Sequence, residues 1–170
     1  MSHSLWTARR ISDIHYYTGI MLSKKKTILV IEDERPLLTA IDAGLKKNGF
    51  NVIAARSVEE AFNTNLGKNS IGEVTVKSIE QALMYIESLE RVDAIWLDHH
   101  LLGEEDGLDF VKKFKANGGK WSAIPVFVVS NAASPVTIKS YLESGVEKYY
   151  IKSNHKLEEI IKEIEAVLAE

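Results

Sequence analysis

Between residues 27 and 168 the chain alternates short apolar runs with longer segments in which apolar residues recur every three or four positions. Short apolar runs bounded by turn residues suit strands buried on both faces, and the three-to-four spacing suits helices with one buried side. Five strands are predicted this way: Thr27 to Ile31, Asn51 to Ala55, Ala94 to Leu97, Pro125 to Val129 and Lys148 to Ile151. Strands that alternate with helices in this manner build a parallel sheet covered by helices on both faces.

The predicted helices carry their own start and stop signals. Pro36 sits in a first turn, where a proline is tolerated; Leu37, Leu38, Ile41 and Leu45 make a stripe behind it, and Asn48-Gly49 supplies a left-handed stop. A second helix over Asp106 to Ala116 buries Leu108 and Val111 together with Phe110 or Phe114, and ends at "NGG". Ser134-Pro135 opens a helix that stops at Gly145. The last starts near His155 and buries Leu157, Ile160, Ile161, Ile164 and Leu168.

One stretch departs from simple alternation. "RSVEEAF" at 56–62 is echoed by "KSIEQAL" at 77–83, and each copy holds a capping box, Ser57 with Glu60 and Ser78 with Gln81. Strand-like pieces, "NVIAA" and "EVTV", precede them, so the chain makes an additional strand-to-helix pass, with a turn-rich "NTNLGKNSIG" between. Two readings stay open, a local duplication or two unrelated capped helices. The second helix, with Ile79, Leu83, Ile86 and Leu89, is assigned to the core, which makes residues 56–76 an insertion after the second strand.

Composition narrows the class. A chain of 170 residues suits one domain. A hydrophobic share of 45% and a charged share of 26% are those of a globular protein, and no apolar run approaches the roughly 20 residues of a membrane span. At a net charge of −3 the sole basic cluster, Lys24 to Lys26, reads as a solvated flank, so neither nucleic-acid binding nor membrane insertion is expected. The absence of cysteine removes disulfides, thiolate nucleophiles and sulfur-bound metals, and fits a reducing, cytoplasmic setting. The first twenty residues lack the apolar segment of a secretory signal. They are either an extension outside the fold or, through Ile14, Tyr16, Tyr17 and Ile20, a helix that packs on the domain or on a second copy.

In an open parallel sheet, ligand-binding groups gather at the carboxyl ends of the strands. The first strand ends in Glu32, Asp33 and Glu34, the third in Asp98, the fourth in Ser130 and the fifth in Lys152. Carboxylates that converge from two strands repel unless a cation lies between them, and an all-oxygen donor set suits Mg²⁺. Glu34 is expected to face the next helix N-terminus, which favours negative charge. His99 and His100, adjacent at a strand end, are expected to point in opposite directions and not to bind a metal, with His99 tuning access to Asp98.

These residues resemble the receiver domain of response regulators, the phospho-acceptor modules of two-component and phosphorelay signalling. "LVIEDE" is similar to the family's first-strand acid pair, "IWLDHHL" to the strand that carries the phospho-acceptor aspartate, "VFVVSN" to the strand with its serine or threonine, and "YYIKS" to the last strand with its lysine. The resemblance implies a flavodoxin-like, doubly wound, five-stranded parallel sheet of order 2-1-3-4-5, with helices on both faces and the extra strand and helix inserted after strand 2. Residues 1–25 then form an N-terminal extension and 26–170 a stand-alone receiver domain. It further implies that Asp98 is the nucleophile, that Asp33 and Asp98 bind Mg²⁺ with the backbone carbonyl of His100, and that Glu32 reaches the ion through water. Lys152 and Ser130 would contact the phosphoryl group, and Tyr149 would be the rotating aromatic. The phosphodonor would be a histidine kinase or a histidine phosphotransfer protein. The output would be a change on the face of the fourth helix, fifth strand and last helix, near Tyr141, Tyr149 and Lys152, read by a downstream protein.

Four departures from the family pattern stand out. The loop "HHLLGEEDG" after Asp98 is one residue longer and lacks a proline; Asn131 follows Ser130 in place of a small residue and is expected to restrict access to an acyl phosphate; Ser153 replaces a proline; and the insertion at 56–76 is extra. These keep open a phosphorylation-independent, receiver-like interaction module. A nucleotide-binding or phosphohydrolase α/β enzyme ranks lower, because "EDERP" offers acids where a phosphate cradle needs glycines.

Overall fold

The computed structural model describes residues 25–57, 74–76, 84, 89, 91–100, 106–116, 118–131 and 134–169. Over these residues the elements are β1 (Thr27–Ile31), α1 (Arg35–Lys47), β2 (Asn51–Ser57), β3 (Val74–Val76), β4 (Ala94–Leu97), α2 (Gly107–Ala116), β5 (Val126–Ser130), α3 (Pro135–Glu143), β6 (Lys148–Ile151) and α4 (Leu157–Ala169). They form one parallel sheet in the order β3-β2-β1-β4-β5-β6. The five predicted strands stand in the predicted order 2-1-3-4-5, a flavodoxin-like arrangement. The extra strand expected from "EVTV" is β3, which lengthens the sheet beyond β2.

The central strands read as continuous apolar runs because they are covered on both sides, and their two-residue period sorts them into two cores. Leu29, Ile31, Ile95, Leu97, Val126 and Val128 face α2 and α3, where Phe110, Val111, Phe114 and Tyr141 meet them. Ile28, Val30, Ala94, Trp96, Phe127 and Val129 face α1 and α4, where Leu38, Ile41, Leu45, Ile160, Ile161 and Ile164 meet them. Both Phe110 and Phe114 are buried and stacked, so the second helix uses both of its aromatics. At the end of α1, Gly49 turns the chain with φ of +87°, a conformation that only glycine adopts without strain.

Three boundaries move from their predicted places, each for a hydrogen-bonding reason. Strand β5 starts after Pro125, which has no N–H to give, and runs on to Ser130, whose carbonyl accepts the Lys152 N–H at 2.7 Å. Strand β2 continues to Ser57 because Ala55, Arg56 and Ser57 pair with Val74, Thr75 and Val76. Ser57, expected to cap a helix, therefore ends a strand, and its partner Glu60 lies outside the described residues. So do Ser78 and Gln81, residues 1–24 and the loop 101–105. The helix at 134 starts as predicted: Ser134 Oγ accepts the Thr137 N–H at 3.0 Å.

The layered core sets a clear expectation. Replacing Ile161, which is buried between the sheet and α1, with alanine should cost about 2–5 kcal/mol in urea unfolding. Breaking the exposed Lys139–Glu143 pair by Lys139→Ala should cost under about 0.5 kcal/mol.

Candidate functional site

At the carboxyl edge of the sheet, β1 delivers Glu32 and Asp33, β4 delivers Asp98, and the turn after β6 delivers Lys152. The backbone fixes each of them: the Asp98 N–H donates to the Ile31 carbonyl at 2.9 Å, the Glu32 N–H to the Ala55 carbonyl at 3.2 Å, and the Lys152 N–H to Ser130. Ligand oxygens of Glu32, Asp33 and Asp98 lie within 4.8 Å of one another. Glu32 is fully buried, Asp98 is 3% exposed and Asp33 is half-buried.

Lys152 reaches in from the side. Its Nζ donates to Glu32 Oε2 at 3.1 Å and sits 3.2 Å from Asp98 Oδ1. The second contact is electrostatic in character, since Asp98 Oδ1 is buried with no well-directed hydrogen bond. One ammonium thus bridges two buried carboxylates, and the burial of the pair shows in its chemistry. Burial first, and the nearby Asp98 second, raise the Glu32 pKa to about 7 against the opposing pull of Lys152. Burial likewise raises Asp98, with Lys152 opposing. Burial works against the charge on Lys152, but Asp98 and Glu32 together outweigh it, and its pKa is raised. Three carboxylates gathered at one edge offer hard oxygen donors only, a set that fits a cation such as Mg²⁺.

Glu34 stands at the N-terminus of the next helix, as expected. It is the N-cap residue of α1 but makes no capping hydrogen bond with its side chain, and its backbone N–H donates to Glu32 Oε1 at 3.3 Å. Its part in the site is to hold Glu32 by the main chain. Ser130 is fully buried and Asn131, one residue on, is exposed. Tyr149 and Tyr150 face opposite sides of the sheet. Tyr149 packs with the α2–α3 core, 5.2 Å from the Tyr141 ring, and Tyr150 lies in the opposite core and donates to Glu163 at 2.9 Å. The Tyr149 hydroxyl is buried without a well-directed hydrogen bond; burial raises its pKa, and Ser130 is the opposing influence.

The histidines correct the sequence reading. Their rings do not diverge: the centroids are 4.6 Å apart, and the His99 ring turns toward α3, with Nδ1 2.7 Å from the Tyr141 hydroxyl. Tyr141, expected near the output surface, is fully buried beneath the site. The Gly107 N–H donates to the His99 carbonyl at 3.0 Å, and a Cβ at Gly107 would lie 2.7 Å from the Tyr141 hydroxyl and 2.8 Å from the Asp98 carbonyl oxygen. Asp106 caps this helix, accepting from the N–H groups of Leu108 and Asp109 at 2.8 and 3.0 Å.

Comparison with known proteins agrees with this geometry. The chain belongs to the cyclic-phosphate processing Receiver domain family, whose model matches residues 27–144. Among solved structures, the fold is similar to the receiver domain of a Francisella response regulator (18% identity, TM-score 0.62), covering 85% of this chain and 98% of that one. It is also similar to a CheY-like receiver domain protein of Methanospirillum hungatei (17% identity, TM-score 0.63), covering 86% and 95%. A two-component response regulator from Clostridium difficile is similar as well (21% identity, TM-score 0.61), covering 85% and 97%. No curated protein matches the chain by sequence. Among the described residues no helix is long and apolar enough to cross a membrane.

The titration of Glu32 gives a checkable stability profile. The folded protein holds this proton more tightly than the unfolded chain, so the group's stabilising contribution is full below pH 4.5 and lost as pH rises to about 7. At about 1.4 kcal/mol per pKa unit the change is on the order of 3 kcal/mol. Urea midpoints measured without metal should fall from pH 5 to pH 8 in the wild type, and Glu32→Gln should flatten that fall.

Proposed function

We propose that this receiver domain is a phospho-acceptor switch in which Asp98 takes a phosphoryl group from a histidine kinase or a histidine phosphotransfer protein. The observation that carries the reading is the Lys152 ammonium held between Glu32 and Asp98, with Asp33 alongside. A carboxylate oxygen of Asp98 attacks phosphorus, an O–P bond forms as the N–P bond of the donor breaks, and the electron pair returns to the imidazole nitrogen, which takes a proton. Lys152 then neutralises charge on the phosphoryl oxygens. A Mg²⁺ held by Asp33, Asp98 and the His100 carbonyl, with Glu32 acting through water, would supply Lewis-acid neutralisation of the same oxygens.

A phosphoryl group brings about −1.5 to −2 charge and three acceptor oxygens to this edge. Ser130 answers by donating its hydroxyl to one of them, and Tyr149, packed behind it, follows. The change reaches the face of α3, β6 and α4, where a downstream protein binds in the cytoplasm. Asn131, exposed at the mouth, limits access of water to the acyl phosphate. The reading supports a signalling domain that catalyses its own phosphorylation and dephosphorylation.

A second reading rests on the family's description together with the two histidines after Asp98. In it the acidic pocket acts on a cyclic phosphodiester: water attacks phosphorus, one P–O ester bond breaks, and the departing oxygen takes a proton. Glu32, titrating near neutrality, and His100, exposed at the rim, are the acid and base candidates.

Intact-mass spectrometry after incubation with acetyl phosphate separates these readings. The switch predicts one added phosphoryl group that requires Mg²⁺ and is absent in Asp98→Asn, with faster loss of the label in Asn131→Ala. No adduct, together with turnover of a nucleoside cyclic phosphodiester followed by phosphorus NMR, would favour the second reading. Neither adduct nor turnover would leave a phosphorylation-independent interaction module.

A further inference from the structure

The phenol of Tyr141 is out of water, in the last turn of α3, yet its hydroxyl touches the residue that follows the acceptor aspartate. The His99 Nδ1 is 2.7 Å from the Tyr141 oxygen, and the two rings meet edge to face at 5.7 Å. His99 is also held at its backbone, where its carbonyl accepts the Gly107 N–H at 3.0 Å. Gly107 has no room for a side chain, because a Cβ there would press on the same Tyr141 hydroxyl and on the Asp98 carbonyl oxygen. Ring and main chain of His99 are thus fixed by two different helices, α3 and α2.

We infer that Tyr141 is a positioning residue: its hydroxyl, through the His99 ring, sets the backbone that leaves Asp98 and ties that backbone to α3. This inference rests on the phospho-acceptor reading and deepens it. On the phospho-acceptor reading the His100 carbonyl, one residue beyond His99, would complete the cation's donor set, so a displacement of the His99 backbone would change that donor set as well as the setting of Asp98. The tie also works in reverse, because a free-energy coupling between two sites is reciprocal. A partner that shifts α3 acts on Asp98 through this hydrogen bond, and a phosphoryl group at Asp98 acts on α3 by the same contact. The route is separate from the path through Ser130 and Tyr149, although the Tyr141 and Tyr149 rings lie 5.2 Å apart in one core.

Tyr141→Phe keeps the ring and removes the hydroxyl; His99→Leu removes the partner nitrogen, and His99→Asn keeps a polar group at the position of Nδ1. Mg²⁺ affinity, beryllofluoride binding in the presence of Mg²⁺ and hydrogen exchange of 135–143 are measured on folded protein. The expected result is a several-fold weaker Mg²⁺ affinity in Tyr141→Phe and in His99→Leu, with the double variant no weaker than either single one. His99→Asn should restore most of the loss. Beryllofluoride should protect 135–143 in the wild type and less so in Tyr141→Phe. Wild-type affinity and protection in Tyr141→Phe would overturn the inference, as would additive losses in the double variant. A wild type that binds neither Mg²⁺ nor beryllofluoride would instead overturn the phospho-acceptor reading on which it rests.

Discussion

Two carboxylates almost wholly out of water share one ammonium, and the rest of the site is arranged around that shortage of positive charge. Lys152 answers Glu32 at 3.1 Å and Asp98 at 3.2 Å, while Asp33 adds a third carboxylate to the same edge. Buried ions are costly unless paired and hydrogen-bonded. The protein meets part of that cost by letting Glu32 hold a proton to about neutral pH, and the cluster that remains offers the oxygen donors a cation takes.

The sheet makes this tolerable. Strands β1 and β4 are adjacent and parallel, so their carboxyl ends deliver acids side by side. The Asp98 N–H donates to the Ile31 carbonyl, which brings Asp98 within one hydrogen bond of the strand that carries the acid pair. Lys152 arrives from two strands farther along, anchored by its own N–H on Ser130. The spacing of the cluster is a property of the central strands, whose side chains pack two independent cores.

Much of this was legible in the sequence because apolar runs ending in polar residues mark both strand and site in a parallel sheet. Thr27–Ile31 and Ala94–Leu97 fall where the runs place them, and Glu32, Asp33, Asp98 and Lys152 come together as their strand ends require. Ser130 was read as the residue beyond its strand, but pairing with Ile151 makes it the last residue within. What the pattern could not show was contact across helices. Tyr141 looks in sequence like one aromatic of an amphipathic helix, and His99 like a loop residue; their hydrogen bond depends on the angle at which α3 meets the sheet and on the missing Cβ of Gly107. The Asp106-Gly107 pair was a partial signal, since a capping acid followed by the smallest residue marks a helix start where another chain segment passes close.

The account stands or falls on where the phosphoryl group goes. Borohydride reduces an acyl phosphate to an alcohol, so treating the phosphorylated protein with it and sequencing the peptides by mass spectrometry identifies the residue that was modified. The account predicts homoserine at position 98 and at no other acid. Modification at Asp33 or Glu32, or a stable phosphohistidine at His99 or His100 with Asp98 untouched, would contradict it.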